Sequence, residues 1–223
     1  MNILAIDSAL GILSVAVANG DTIYYTEADE GMKHSELVMG SIDSLMKKAN
    51  LEPKDLNGVL CMGGPGSFTG LRIGYSIAKG LALSLSIPFA PVPTLDCIAL
   101  QETEGIILGV IESKKNAWFY AFFKNGQRLT NDNDGDSAQI AKEINSFQEK
   151  ITLTGPAAPL LYDSLPQEQQ KRLSLNFEKK GYAKEIILIA QIRKILDNNN
   201  VEYLCSGPEY IRMADVHQSY GGS

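Results

Sequence analysis

Gly63-Gly64-Pro65-Gly66-Ser67-Phe68-Thr69-Gly70-Leu71-Arg72-Ile73-Gly74 decides how the rest of the chain is read. The apolar run Gly58-Val59-Leu60-Cys61-Met62 before it reads as a short buried strand. Leu71 to Ser86 after it has no proline and reads as a helix. Strand, glycine-rich turn and helix in that order can aim backbone N–H groups at an anion. Glycine and proline dominate the turn, so its backbone path matters more than its side chains.

The helix that follows carries charge only at Arg72 and Lys79. A helix this apolar around its circumference is buried on more than one side. Gly70, Gly74, Ala78, Ala82 and Ser86 recur every four positions, beside Ile73, Ile77, Leu81 and Leu85. Small residues let another backbone approach, and glycines inside a helix cost about 1 kcal/mol each relative to alanine. One face suits a sheet; the second needs another helix, from this chain or from a partner.

Working back toward the start, Asn2 to Asp7 is an apolar run ended by an acid, as in a fully buried strand. Ile12 to Ala18 and Thr22 to Thr26 are further strands, joined by Asn19-Gly20, a strong hairpin signal. A three-stranded antiparallel meander is expected. Ser35 to Ala49 reads as an amphipathic helix with Ser35 as its cap. Leu37, Val38, Ile42, Leu45 and Ala49 share its apolar face, and Met39 and Met46 extend that arc. Methionine fills irregular gaps and is common on partner-binding surfaces.

Working forward, Thr94 to Leu100 reads as a short helix and Gln101 to Gly105 as a boundary. Ile106 to Ile111 and Ala117 to Phe123 are strands, the second turned by Asn125-Gly126. A polar loop covers 131–136, a helix 138–147, and a strand Ile151 to Thr154 precedes Gly155-Pro156. Strand order, polar turns and the Gly-Pro step repeat the plan of the first half, so the second half reads as a reduced copy. Lys184 to Asn198 is the last helix, and Val201 to Ser223 is expected to be irregular, with a mobile end.

The chain has 223 residues, a net charge of -6 and a pI near 5.0, which argues against a nucleic-acid-binding domain. Lys171, Arg172, Lys179, Lys180, Lys184, Arg193 and Lys194 form the nearest thing to a basic patch. Cys61, Cys97 and Cys205 lack CxxC spacing and read as free thiols in a reducing compartment. With no membrane-length apolar run and no basic n-region, a cytoplasmic protein is expected. His34 and His217 are far apart, so no metal site is expected.

Neither nucleotide fingerprint is complete. No lysine follows a suitably spaced glycine, and Thr69 stands where a dinucleotide fold needs its third glycine. The free N–H groups still permit an anion, so Gly64, Gly66 and Ser67 are one candidate site. Asp7 and Ser8, at the carboxyl end of the first strand, are another for phosphate or a metal-bound water. A tight structural turn explains either stretch equally well.

Gly64 to Gly74, followed by Lys79-Gly80-Leu81-Ala82, Pro88 and Thr94-Leu95-Asp96, resembles the TsaB (YeaZ) family. His34-Ser35-Glu36 and Pro208-Glu209-Tyr210-Ile211-Arg212 are similar to it as well. The resemblance is dense over residues 2–100 and thin over 103–200. It implies an α/β protein of two actin-like (ASKHA, ribonuclease H-like) lobes. The first lobe would hold residues 1–102, completed by 184–223, and the second 103–183. It further implies a non-catalytic partner of TsaD, the enzyme that transfers a threonylcarbamoyl group to adenosine of tRNAs reading codons that start with A. The ATPase TsaE would join them, ATP or ADP would sit at the partner interface if anywhere, and tRNA would be reached only through the complex.

Pairing is implied through the first two helices, hence through Leu37, Met39, Ile42, Met46, Gly70, Gly74, Ile77, Ala78, Leu81 and Ala82. Without the partner, the same helices would form a homodimer. The chain departs from the family pattern at Cys61-Met62-Gly63, Glu112-Ser113-Lys114 and Asp7-Ser8-Ala9, which weakens nucleotide chemistry by this chain alone. The alternatives are an actin-like ATPase using Asp7 and the turn at Gly64 to Ser67, or a peptidase, against which the missing histidine pair argues.

Overall fold

The computed structural model describes residues 1–31, 33–100, 104–196 and 207–208. The expectations for Gln101 to Thr103, Asn198 to Asn200, the tail beyond 208 and its Glu209 to Arg212 patch lie outside the described residues.

β1 (Ile3–Asp7), β2 (Leu13–Asn19) and β3 (Thr22–Ala28) form the antiparallel meander, with Gly20 at φ 59° in the hairpin turn. β4 (Gly58–Gly64) runs parallel to β1, and β5 (Phe89–Pro93) parallel to β4. The sheet order is β3-β2-β1-β4-β5. β1 shows why its sequence is apolar throughout. Leu4 and Ile6 point into a core with α1 (His34–Lys48) and α2 (Phe68–Leu85), while Ile3 and Ala5 point into a second core on the other face.

That second core is shared by both halves of the chain. α3 (Thr94–Ala99) and α7 (Ala183–Ile192) contribute Leu95, Ile98, Ile186, Ile187 and Ala190 to it. Ile107, Ile111, Phe119 and Phe123 of the second sheet close it from the far side. The second sheet comprises β6 (Ile106–Lys114), β7 (Ala117–Lys124), β8 (Gln127–Arg128), β10 (Ile151–Thr154) and β11 (Leu173–Asn176), ordered β11-β10-β6-β7-β8, with β9 (Asn133–Gly135) beside β7. α4 (Ser137–Ile144) and α5 (Ala158–Ser164) cover its outer face, and α6 (Gln167–Gln170) precedes β11.

The half-repeat read from spacing corresponds to a repeat in topology. β1-β2-β3-α1-β4-α2-β5-α3 is matched in order by β6-β7-β8-α4-β10-α5-β11-α7. Gly64 and Gly155 end equivalent strands with similar backbones, φ 117° and 113°. The second copy is reduced: β8, β10 and β11 have two, four and four residues against seven, seven and five for β3, β4 and β5.

Helix ends differ from expectation at α4, which stops at Ile144, and at three more places. α1 starts at His34, after Lys33 rather than at a Ser35 cap, and no side chain caps it. His34 enters the helix because its Nδ1 reaches Ser8 O at 3.2 Å. α2 starts three residues earlier than its periodicity suggests, because Ser67 Oγ accepts from Gly70 N at 3.2 Å and caps it. α7 stops at Ile192: Lys194 takes φ 51° and Ile195 N returns to Ala190 O at 3.0 Å, a Schellman-type ending without glycine.

Candidate functional site

The glycine-rich turn packs on the turn after β1. A Cβ on Gly66 would stand 2.9 Å from Ala9 O. One on Gly70 would overlap Ser8 O and stand 3.0 Å from Ser8 C and 3.1 Å from Ala9 Cα. One on Gly74 would meet Ser8 Oγ at 2.9 Å. The two turns are stitched by Ser67 N donating to Ala9 O at 2.8 Å and Ser8 Oγ donating to Gly70 O at 2.8 Å. Gly66 and Gly70 are there because backbone meets backbone.

Asp7 is fully buried at the carboxyl end of β1. Oδ1 accepts from Ala9 N at 3.1 Å, and Oδ2 from Tyr182 N at 3.0 Å. Beside it, Ser14 Oγ accepts from Ala183 N at 3.0 Å. Tyr182 and Ala183 open α7, whose start has no cap of its own. Asp7 and Ser14 therefore cap α7 from 175 and 169 residues away in sequence. Burial pushes the Asp7 carboxyl up to about 7, against the pull of backbone N–H groups of Tyr182, Ala9 and Leu10, and Glu185 adds to the rise.

A family model described as "TsaD: tRNA N6-adenosine threonylcarbamoyltransferase" matches residues 29–186. The protein "tRNA threonylcarbamoyladenosine biosynthesis protein TsaB" of Buchnera aphidicola subsp. Acyrthosiphon pisum is 30% identical over 67% of this chain and 68% of its own length. The chain belongs to the TsaB (YeaZ) family. TsaB of Buchnera aphidicola subsp. Schizaphis graminum is 29% identical over 83% of this chain and 90% of its own. TsaB of Bacillus subtilis is 34% identical over 56% and 57%. YeaZ from Pseudomonas aeruginosa shares the fold at a TM-score of 0.79 and 18% identity, over 94% of this chain and 99% of that one.

In this TsaB-family chain the five residues first assigned to a nucleotide or anion have other work. Asp7 accepts two backbone N–H groups, and Ser8 Oγ is donated to Gly70. Ser67 N donates to Ala9 O and its hydroxyl caps α2, Gly66 lets the two turns meet, and Gly64 takes φ 117° at the end of β4. An actin-like fold implies a nucleotide in its cleft, but these residues do not fit a phosphate or its metal ion. Among the described residues, no group of three or more His, Cys, Asp or Glu is placed to hold a metal.

The implied TsaB pairing residues divide in two. Gly74 is buried with its Cβ position on Ser8 Oγ, Gly70 is buried against the Ser8 backbone, and Ala78 and Ala82 lie in the core under α2. Ile42 and Met46 of α1 are buried in that core too. These six are buried within the chain, and at Gly70 the backbone that comes close is the chain's own. Leu37, Ile77 and Leu81 are half-buried at its edge, and Met39 is exposed.

One feature was not legible as a site candidate. Asp96 of α3 is buried and binds Arg128, with Nε at 2.7 Å, and Arg193. This cluster joins α3, β8 and the end of α7 across the central core. It also consumes part of the basic segment. Arg172 binds Ile144 O at 3.1 Å, Lys179 binds Asp29, Lys180 binds Glu185 at 2.6 Å, and Lys184 lies 4.5 Å over the Tyr25 ring. Each of these four cations has a partner within the chain. Among the described residues, no helix is long and apolar enough to cross a membrane.

Proposed function

We propose that this chain is a non-catalytic partner that binds and activates a TsaD homologue in threonylcarbamoyl transfer to adenosine of tRNAs reading codons that start with A. One observation carries the reading. The outward sides of the adjoining helices α1 and α2 hold Met39, 50% exposed, and Leu83, 62% exposed, with Gly40 and Gly80 between turns of polar residues. A Cβ at Gly40 or Gly80 would meet nothing within 4 Å. Each mid-helix glycine costs about 1 kcal/mol against alanine, and nothing inside the chain requires these two. A smooth helix surface beside exposed apolar side chains suits a partner's helices packed closely on it. The engagement of Asp7 by backbone N–H groups supports a role without chemistry of its own.

A TsaE ATPase joins the pair in this reading, ATP or ADP belongs to the partner interface, and tRNA is reached through the complex. The net charge of -6 fits that indirect route. Alone, the chain forms a homodimer through the same face, and it works in the cytoplasm.

Reconstitution tests the proposal. The purified chain alone should transfer nothing to tRNA, and added TsaD and TsaE homologues should restore transfer. Met39→Glu with Leu83→Glu should leave the fold intact and abolish the stimulation. A TsaD and TsaE mixture that works equally well with and without this chain would sink the idea.

A further inference from the structure

β11 ends at Asn176 in the second sheet, and α7 begins at Ala183 between the sheets. The residues between them cross onto the carboxyl end of the first sheet and are fastened there repeatedly. Lys179 Nζ pairs with Asp29. Gly181 N donates to Glu27 Oε2 at 2.7 Å. The Tyr25 hydroxyl stands 3.0 Å from Gly181 O and 2.8 Å from Glu27 Oε2, its single proton shared between them. Tyr182 N binds Asp7 and Ala183 N binds Ser14, both at 3.0 Å. The Lys184 ammonium then covers the Tyr25 ring.

These partners come from the end of β1, the start of β2 and the end of β3. They mark the edge of an open α/β sheet where a ligand usually sits, outside the carboxyl ends of the parallel strands. A helix N-terminus aims its N–H groups at an acceptor, and here the acceptor is the chain's own Asp7 carboxyl. Gly181 is what lets the segment seat. Its buried Cα lies so close to β2 that a Cβ would overlap Ser14 Cβ and Oγ and stand 3.3 Å from the Tyr25 hydroxyl.

We propose that residues 177–183 are a built-in strap. It occupies the ligand position at the carboxyl end of the first sheet and fastens the two lobes in one fixed arrangement. Two-lobed proteins commonly close by a hinge around a bound ligand, and the differential contacts of that ligand set the closed state. The strap supplies such contacts from within the chain. This inference stands apart from the partner reading, since the strap's bonds go to β1, β2, β3 and Asp29 just after β3, and none goes to the outward faces of α1 and α2.

The test uses the full chain with spin labels at Lys48→Cys in the first lobe and Lys150→Cys in the second, in a Cys205→Ser background; Cys61 and Cys97 are buried. Two variants loosen the strap. Tyr25→Phe with Glu27→Ala removes both side-chain bonds to Gly181 without entering the core. Gly181→Ala displaces it sterically, and Ser14→Gly added to Gly181→Ala makes room again. The wild type should give one narrow distance distribution, unchanged by millimolar Mg-ATP. Loosening should broaden it and speed amide exchange at Tyr182 and Ala183 by at least about tenfold, with β1 amides unaffected. Should Gly181→Ala fail to fold, the Tyr25 and Glu27 variant alone decides. Two distances in the wild type, a shift on adding Mg-ATP, or unchanged exchange at Tyr182 and Ala183 in the loosened variants would each overturn the proposal.

Discussion

One substitution, glycine to alanine, should have opposite effects at two positions of the same helix. At Gly70 the added Cβ would overlap Ser8 O, with Ser8 C at 3.0 Å and Ala9 Cα at 3.1 Å. These are backbone atoms, which no rotamer change can move. α2 or the turn must shift by about an ångström, which strains Ser8 Oγ to Gly70 O and Ser67 N to Ala9 O, both 2.8 Å. Two such bonds are worth about 1 kcal/mol each, and overpacking adds roughly 1–3 kcal/mol. Better helix propensity returns about 1 kcal/mol. The net is a loss of about 3 kcal/mol, or roughly 6–12 °C in Tm for a chain of this size. At Gly80 a Cβ meets nothing within 4 Å, so only the propensity gain remains. Gly80→Ala should raise Tm by roughly 2–4 °C. Gly74→Ala should fall between them, since its clash at 2.9 Å is with the Ser8 hydroxyl, a side-chain atom that can turn at the cost of its bond. Calorimetry with urea unfolding reads all three. Equal effects at Gly70 and Gly80, of either sign, would refute the claim that the glycine-rich turn exists for a backbone contact.

Asp7 sets a pH dependence. Burial raises its carboxyl from 3.8 to about 7 in the folded protein, so folding favours the protonated form. Its contribution to stability is complete below the unfolded value near pH 4, is lost as pH rises through about 7, and is flat above; the span is on the order of 4 kcal/mol. The stability of wild type relative to Asp7→Asn should decline from pH 4 to 8 in urea titrations, and a pH-independent difference would contradict the burial argument. Asp96→Ala leaves Arg128 and Arg193 without their shared carboxylate. It should cost about 3 kcal/mol, the low end for a broken buried pair, because Arg128 keeps Asp132 and Arg193 is partly solvated. A loss under about 0.5 kcal/mol would place the cluster among ordinary surface pairs. Lys194→Gly, at a left-handed helix end with φ 51°, should stabilise by about 0.5–1 kcal/mol, and a loss of Tm would argue against that ending.

Much of the fold was legible because local signals and the global arrangement agree. β1 and β4 are apolar on both faces, and both faces are buried. Asn19-Gly20 and Asn125-Gly126 turn hairpins as expected. The short strands β8, β9 and β11 were not legible. Two to four residues such as Gln127-Arg128 carry no periodicity, and they are strands only because β7 and β10 pair with them. The early start of α2 follows from the Ser67 cap, a single-residue signal that apolar periodicity does not carry.

The sequence by itself determined that the chain holds two related α/β halves, that a glycine-rich turn launches an apolar helix, and that side chains of the known phosphate loops are missing. It also determined the family, because a long unbroken string of turn residues is specific where scattered apolar positions are not. What approaches those glycines was decided only in three dimensions. Gly70 and Gly80 are the same residue in the same helix, yet one lies against the Ser8 carbonyl and the other faces open space. Periodicity cannot separate a face that meets the chain's own sheet from one left for a partner, because both demand small or apolar residues. Likewise Asp7 reads as a ligand-binding acid until Tyr182 arrives from the far end of the chain, bringing the N–H group that takes its oxygen. Contacts between residues so distant in sequence depend on the packing of α7 between the sheets, and no local pattern records them.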